Sequence, residues 1–395
     1  MRILFVNHLK PTTASFLRQT GLGRELSKAG HEVSYIGRRP SKTIERYGKL
    51  SGIAPLETIS EGPSNISYWF EPFEPLTPRN IVRLLEISRD YEVIHVNKAY
   101  PYTSTLLSVP KLLAGKAIVI DWEDWDGIGG YINFAGKNLP SRFALGFFEE
   151  VVPKSCNAIV AVSKILANRA ERKGIPQDKI FYIPNGYDES LFDQKLSGDR
   201  VRKVLDIGSR PTILLVSALH AYERENFKKI FDSLQYVAKQ VPDVLLLIAG
   251  QGEVDMILQY AQSLGIRENV MCLGFVPHAV IPEVIAAADV AIHVLNDNIY
   301  FRSSSPMVVP EYMAMGKAIV GSAVGELNTM LGDGAGILVK HQSPKEFGRA
   351  IVSLLTDSGL KKRTEETALA RAKAIYSYKS LAKRAELAYA KALEK

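Results

Sequence analysis

LLLIAGQGEVDMILQYAQSLGIRENVMCLGFVPHAVIPEVIAAADVAIHV runs from Leu245 to Val294. It opens on an unbroken apolar run, turns at Gly250-Gln251-Gly252, and then alternates helical stretches with two further apolar runs, VMCLGFV and DVAIHV. Continuous apolar runs bounded by Gly and Pro suit strands buried on both faces, as in parallel sheets. Strands alternating with helices in this way predict a parallel sheet with helices on both sides.

The same alternation extends in both directions. Upstream lie TILLVSA (Thr212–Ala218) and the helical NFKKIFDSLQYVAKQV (Asn226–Val241); downstream lie KAIVGS and GILV. The first half repeats the scheme with RILFVN, HEVSYIG, YEVIHVN, KAIVIDW, NAIVAVS and KIFYIPNGYD. Between the halves, DESLFDQKLSGDRVRKVLDIGSRP (Asp188–Pro211) is polar and weakly patterned, and reads as an interdomain linker. The expectation is an α/β chain of two doubly wound, Rossmann-like domains facing a central cleft. They span residues 1–200 and 201–375, and a C-terminal helix over 376–395 crosses back to the first. In such sheets ligands bind beyond the carboxyl ends of the strands. Site residues are therefore sought in loops just after strands.

Composition narrows the function classes. The 395 residues are 46% hydrophobic and 23% charged, an ordinary globular balance with material for more than one core. Two cysteines exclude a disulfide framework and a cysteine-rich metal site. With so few cysteines a reducing, cytoplasmic setting is expected; no run reaches the ~18 apolar residues of a spanning helix, and the first residues read as a strand. The net charge of +7 points to an anionic partner. GLGRELSKAG (Gly21–Gly30) lies within a helical stretch, away from the first strand, so it is no dinucleotide-binding turn.

SSSPMVVPEYMAMGKAIVG (Ser303–Gly321) places one carboxylate, Glu311, among apolar residues at a helix start. Such a group either favours the positive helix end or accepts hydrogen bonds from two adjacent hydroxyls. Three segments decide between these: IPNGYDESLF (Ile183–Phe192), the Leu245–Val294 stretch, and SSPMVVPEYMAMGKAIVGSAVGELNTMLGDGAGILV. Together they resemble the GT-B glycosyltransferases of the retaining family 4 over nearly the whole chain. The resemblance implies a nucleotide-diphosphate sugar as donor substrate, bound mainly by the second domain, with no cofactor or metal. It implies ribose hydroxyls on Glu311; the turn Ser304-Ser305-Pro306-Met307-Val308 offers backbone N–H groups and a helix start to the diphosphate, and Ser303 before it is counted with the donor-binding residues. Gly250 and Gly252 are the tight turn near the ligand, and Val276 is expected at the base. A glycan, lipid-linked or small-molecule acceptor is expected on the first domain, with no nucleic acid as partner.

The sequence departs from the family at three places. The acidic residue eight before Glu311 is Ser303 here, the lysine of the SSP-containing branches is Val308, and the strand-end arginine is Ala218. Charge grows on a diphosphate leaving group, and cations or N–H donors aimed at it normally supply much of the catalysis. Arg224 and Lys228 are the candidate replacements, with Arg302 a third.

VIDWEDWDGIGGY (Val119–Tyr131) puts several carboxylates beside Trp122 and Trp125 at a strand end. Asp121 and Asp124 are candidate cleft residues acting on the acceptor; the alternative is a loop capping the next helix. His8 and His95 follow or end strands. Peripheral contact with the inner membrane face is expected from IGRRPSKTIERYGK and RFALGFFEEVV, where cations adjoin apolar residues. The rival to a transferase is a catalytically weakened nucleotide-sugar-binding or scaffold relative, motivated by Ser303, Ala218 and Val308. A sugar-nucleotide epimerase is a minor third reading.

Overall fold

The computed structural model describes residues 1–7, 9, 13–37, 66–68, 78–100, 115–133, 139–220, 223–340 and 343–394. Two parallel sheets organise it. The first has seven strands in the order β3-β2-β1-β4-β5-β6-β7. They are β1 (Arg2–Val6), β2 (Glu32–Gly37), β3 (Ile66–Tyr68), β4 (Val93–Asn97), β5 (Ala117–Trp122), β6 (Ala158–Ala161) and β7 (Ile180–Tyr182). The second has six, in the order β10-β9-β8-β11-β12-β13. They are β8 (Thr212–Val216), β9 (Leu245–Ala249), β10 (Val270–Gly274), β11 (Val290–His293), β12 (Ala318–Ser322) and β13 (Ile337–Val339). Every residue of β4, β5, β9 and β12 is buried, which is why these stretches read as unbroken apolar runs. Winding reverses between β1 and β4 in the first sheet and between β8 and β11 in the second, and each reversal opens a crevice at the strand ends.

The stretch read as a linker is built into the second domain. It carries the helix Asp199–Val204, and Val201, Leu205 and Ile207 are buried in the core under the second sheet. Its apolar residues are too sparse to show a period, yet each fills a place against the helix Ile281–Ala286 side of that core.

The chain crosses between the halves twice, at Ile183–Asp188 and again near Tyr376. The two crossings run side by side: Tyr187 N donates to Tyr376 O at 2.9 Å, and Tyr378 N donates to Tyr187 O at 3.0 Å. After the second crossing, the helix Tyr378–Leu393 lies on the first sheet against the helix Ala14–Lys28. Ser377 caps it, accepting from Ser380 N at 3.1 Å. Its buried face is mostly alanine (Ala382, Ala385, Ala388, Ala392), so the helices approach closely. Gly21 belongs to the same contact, since a Cβ there would collide with the Tyr378 ring.

Candidate functional site

A cleft of about 1160 Å³ lies between the two sheets. That exceeds the ~300–1,000 Å³ of typical small-molecule sites and leaves room for two substrates. Its second-domain wall is the β8/β11 crevice: Ser217 and Ala218 follow β8, and His293 ends β11. Its opposite wall is the helix Ala14–Lys28, which presents Thr20, Gly21 and Arg24.

Glu311 sits in the first turn of the helix Val308–Ala314 and is 4% exposed. It lines the cleft, and its Oε1 pairs with His278 Nε2 at 2.7 Å. It is therefore not a solvated helix-start charge, and in this structure its partner is an imidazole. Burial opposes the charge on His278, but the charge and hydrogen bond of Glu311 outweigh it and raise His278 above the ordinary histidine value. The Phe192 ring lies 5.4 Å from the His278 ring, tilted against it. His293 lines the floor; burial pushes it down to about 4, so it is neutral near pH 7.

Ser304, Pro306, Met307, Val308, Gly250 and Val276 also line the cleft. A Cβ at Gly250 would collide with the Ser217 carbonyl oxygen, so the β9 turn can close over β8 only with glycine. Three expected residues stand behind the wall. Ser303 is wholly buried, its Oγ donating to Tyr300 O at 2.8 Å. Ser305 is held by Asn185, whose backbone N donates to its Oγ at 3.0 Å and whose Nδ2 donates to its O at 2.5 Å. Gly252 packs against Leu219.

The four expected catalytic residues are not at the cleft. Asp121 is fully buried and makes a two-pronged pair with Arg18, Nε to Oδ2 at 2.8 Å and Nη2 to Oδ1 at 3.1 Å. Burial works against its charge, yet Arg18 and His95 hold it down at about 2. Asp124 accepts from Lys98 Nζ at 2.5 Å, and Lys98 takes a left-handed backbone (φ 57°) directly after β4. Trp122 is buried and donates to Glu149 at 3.0 Å, while the Arg169 guanidinium covers the Trp125 ring at 3.6 Å. Within this segment Asp121, Glu123 and Asp126 are buried and Asp124 is half-buried against Lys98. Arg224 stands 60% exposed beside Glu253 at 3.3 Å, Lys228 is exposed, and Arg302 forms a surface pair with Asp297. None of the three lines the cleft. Among the described lining residues the arginine is Arg24, ion-paired with Asp188. Glu223 of the same β8 loop lines the cleft as well, and burial pushes it up to about 7.

His278, His293, Arg24 and Glu223 were not singled out from the sequence. His278 directly follows the Gly-Phe-Val-Pro strand end, which was the available signal. His95 is buried, with Nδ1 2.8 Å from Tyr389 Oη, a core position. His8 and most of the basic stretch after Ile36 lie outside the described residues.

Residues 199–371 match the model of glycosyl transferases group 1, and residues 20–191 match that of glycosyltransferase family 4. The chain belongs to the GT-B glycosyltransferases of the family 4 type. An uncharacterized glycosyltransferase of Methanocaldococcus jannaschii is 25% identical over 277 residues, 67% of this chain and 66% of that protein. The phosphatidyl-myo-inositol mannosyltransferase of Mycolicibacterium smegmatis is 26% identical over 346 residues, covering 86% of this chain and 80% of that one. Among solved structures, Anabaena HepE in complex with UDP-glucose superposes with a TM-score of 0.74 at 19% identity, covering 98% of each chain. This glycosyltransferase thus shares with HepE the arrangement of two sheets about a central cleft.

Proposed function

We propose that this glycosyltransferase moves a sugar from a nucleotide-diphosphate donor to an acceptor hydroxyl, with retention of anomeric configuration, in glycan or glycolipid biosynthesis. The observation that carries the donor reading is the position of Glu311. It is a nearly buried carboxylate at the β8/β11 crevice, held by His278 on one oxygen. A ribose diol would lie against the carboxylate, and the diphosphate would lie against the turn Ser304–Val308, where the backbone N–H groups of Met307 and Val308 are the donors. The base would lie near Val276, and closure of the cleft would exclude water from the departing sugar. The reading calls for no cofactor and no metal. HepE, a relative by fold, is recorded with UDP-glucose, which supports a uridine donor as the first to try.

The test is thermal shift with a panel of nucleotide-diphosphate sugars on wild type and Glu311→Ala. A hydrogen bond to a charged group contributes ~1.5–3 kcal/mol, so the variant is expected to bind its donor at least about tenfold more weakly. No shift with any donor in the wild type overturns the reading.

A second reading is favoured by Arg224, Lys228 and Arg302, none of which lines the cleft. A weakened phosphate clamp would leave a catalytically slow, donor-binding member of the family. Donor binding without turnover, on any acceptor offered, would establish it.

The acceptor side carries a peripheral-membrane expectation. Leu139, Phe143, Phe147 and Val151 stand exposed at four-residue spacing on the helix Leu139–Ser155, with Ile128 exposed nearby. Arg142 and Lys154 on that helix are exposed too. An apolar stripe with flanking cations suits the surface of an anionic bilayer bearing a lipid-linked acceptor. Sedimentation with anionic vesicles tests it.

A further inference from the structure

Arg18, on the helix Ala14–Lys28, lies in the interior of the structure. It is fully buried, and all five of its N–H groups are used. Nε and Nη2 grip Asp121 at the end of β5, at 2.8 and 3.1 Å. Nη2 also donates to Ile183 O at 2.7 Å, and Nη1 to Pro184 O at 2.8 Å. Ile183 and Pro184 open the first crossing between the domains, and the fifth bond, Nη1 to Asn185 Oδ1 at 3.2 Å, reaches the next residue of it.

That last contact has a consequence for the cleft. A guanidinium has donors and no acceptor, so the Asn185 atom facing it is the oxygen. The amide nitrogen therefore faces the other way, toward Ser305 O, to which it donates at 2.5 Å. The Asn185 backbone N donates to Ser305 Oγ at 3.0 Å. Ser305 is 6% exposed and sits between two residues that line the cleft, Ser304 and Pro306.

We propose that Arg18 is a positioning residue: by fixing the Asn185 amide it pins Ser305, and so sets the turn Ser304–Met307 at the cleft. It touches no substrate. A buried ion pair alone does not require this, because such pairs are often replaceable by apolar groups at little cost in stability. The side chain would instead convert the packing of the first domain into the placement of a second-domain loop. The inference rests on the donor reading only for its binding arm.

The test combines hydrogen exchange with donor binding. Asn185→Asp keeps an oxygen for Arg18 but sets a second oxygen against Ser305 O. Arg18→Lys keeps a charge for Asp121 and gives up the forked geometry. In both variants, amide exchange in peptides covering 303–308 is expected to rise about tenfold, the change that follows loss of ~1.4 kcal/mol of local hydrogen bonding. In Asn185→Asp, which leaves both Arg18–Asp121 bonds in place, exchange in β5 and the helix Tyr378–Leu393 stays at the wild-type level. Donor affinity, with the donor identified by thermal shift, falls by a similar factor. Glu311→Ala, in contrast, loses donor affinity with wild-type exchange in the turn. Unchanged exchange in the turn overturns the proposal, and so does a rise spread over β5 and the C-terminal helix in Asn185→Asp. If Arg18→Lys does not fold, Asn185→Asp decides alone. If no donor binds the wild type, the donor reading fails, and the exchange comparison still decides this one.

Discussion

Glu311 and His278 meet across 33 residues of sequence at 2.7 Å, and the pairing links the cleft to pH. The folded value of His278 is raised, so the pair contributes stability that is fully present below the unfolded histidine value, about 6.5, and is lost as pH rises through the folded value. Urea melts of wild type and His278→Ala are expected to differ more at pH 6 than at pH 9. An equal difference at both would mean that the imidazole stabilises by packing on Phe192 alone. Asp121 shows the opposite case. Its folded value lies at about 2, so its contribution is present above the unfolded carboxylate range and is lost only as pH falls toward that value. A carboxylate held so low by a fully buried arginine is a structural anion, which is why Asp121 cannot act as a base on an acceptor.

The helices show how the same residue type reads differently by place. In Ala14–Lys28, Gly21 and Gly23 look like helix-weakening residues, yet each lies where another group comes close: a Cβ at Gly21 meets Tyr378, and one at Gly23 meets Tyr35. In Leu139–Ser155 the four-residue apolar spacing would ordinarily mark a core face, but Phe143 is 77% and Phe147 51% exposed, with their rings stacked at 6.3 Å. If that face meets lipid, replacing both with serine removes two aromatic side chains from the contact. Apolar burial at roughly 25 cal/mol per Å² predicts a loss of several kcal/mol. Phe143→Ser with Phe147→Ser is therefore expected to abolish sedimentation with anionic vesicles while leaving the melting temperature near that of wild type. Equal sedimentation of both proteins would remove the membrane role from this helix.

For the whole molecule, polar contacts join the halves beside the paired crossings. Glu326, in the loop after β12, is 3% exposed and accepts from Lys164 N and Tyr182 Oη, both of the first domain, each at 2.7 Å. Glu326→Ala should leave both sheets folded and loosen their mutual position. The expected readout is a larger radius of gyration in solution scattering, with ~1–3 kcal/mol lost in stability; an unchanged radius would place the restraint elsewhere. The alternation of strands and helices was legible because burial on both faces demands unbroken apolar runs, a local property of the chain. Glu311 was legible too, as a lone carboxylate in an apolar setting with family motifs around it. The roles of Asp121, Asp124, Arg224 and Lys228 were not, since a strand-end or loop position says where a side chain begins and not what it meets. Arg18 finds Asp121 across 103 residues, and Ser305 finds Asn185 across 120. By itself, then, the sequence determined the two wound sheets, because hydrophobic patterning is local and additive; Glu311 was singled out by the resemblance of the motifs around it. Only the tertiary structure decided which charges face the cleft and which lock the interior, because hydrogen bonds need donor and acceptor within about 3 Å, and packing between distant elements alone sets that distance.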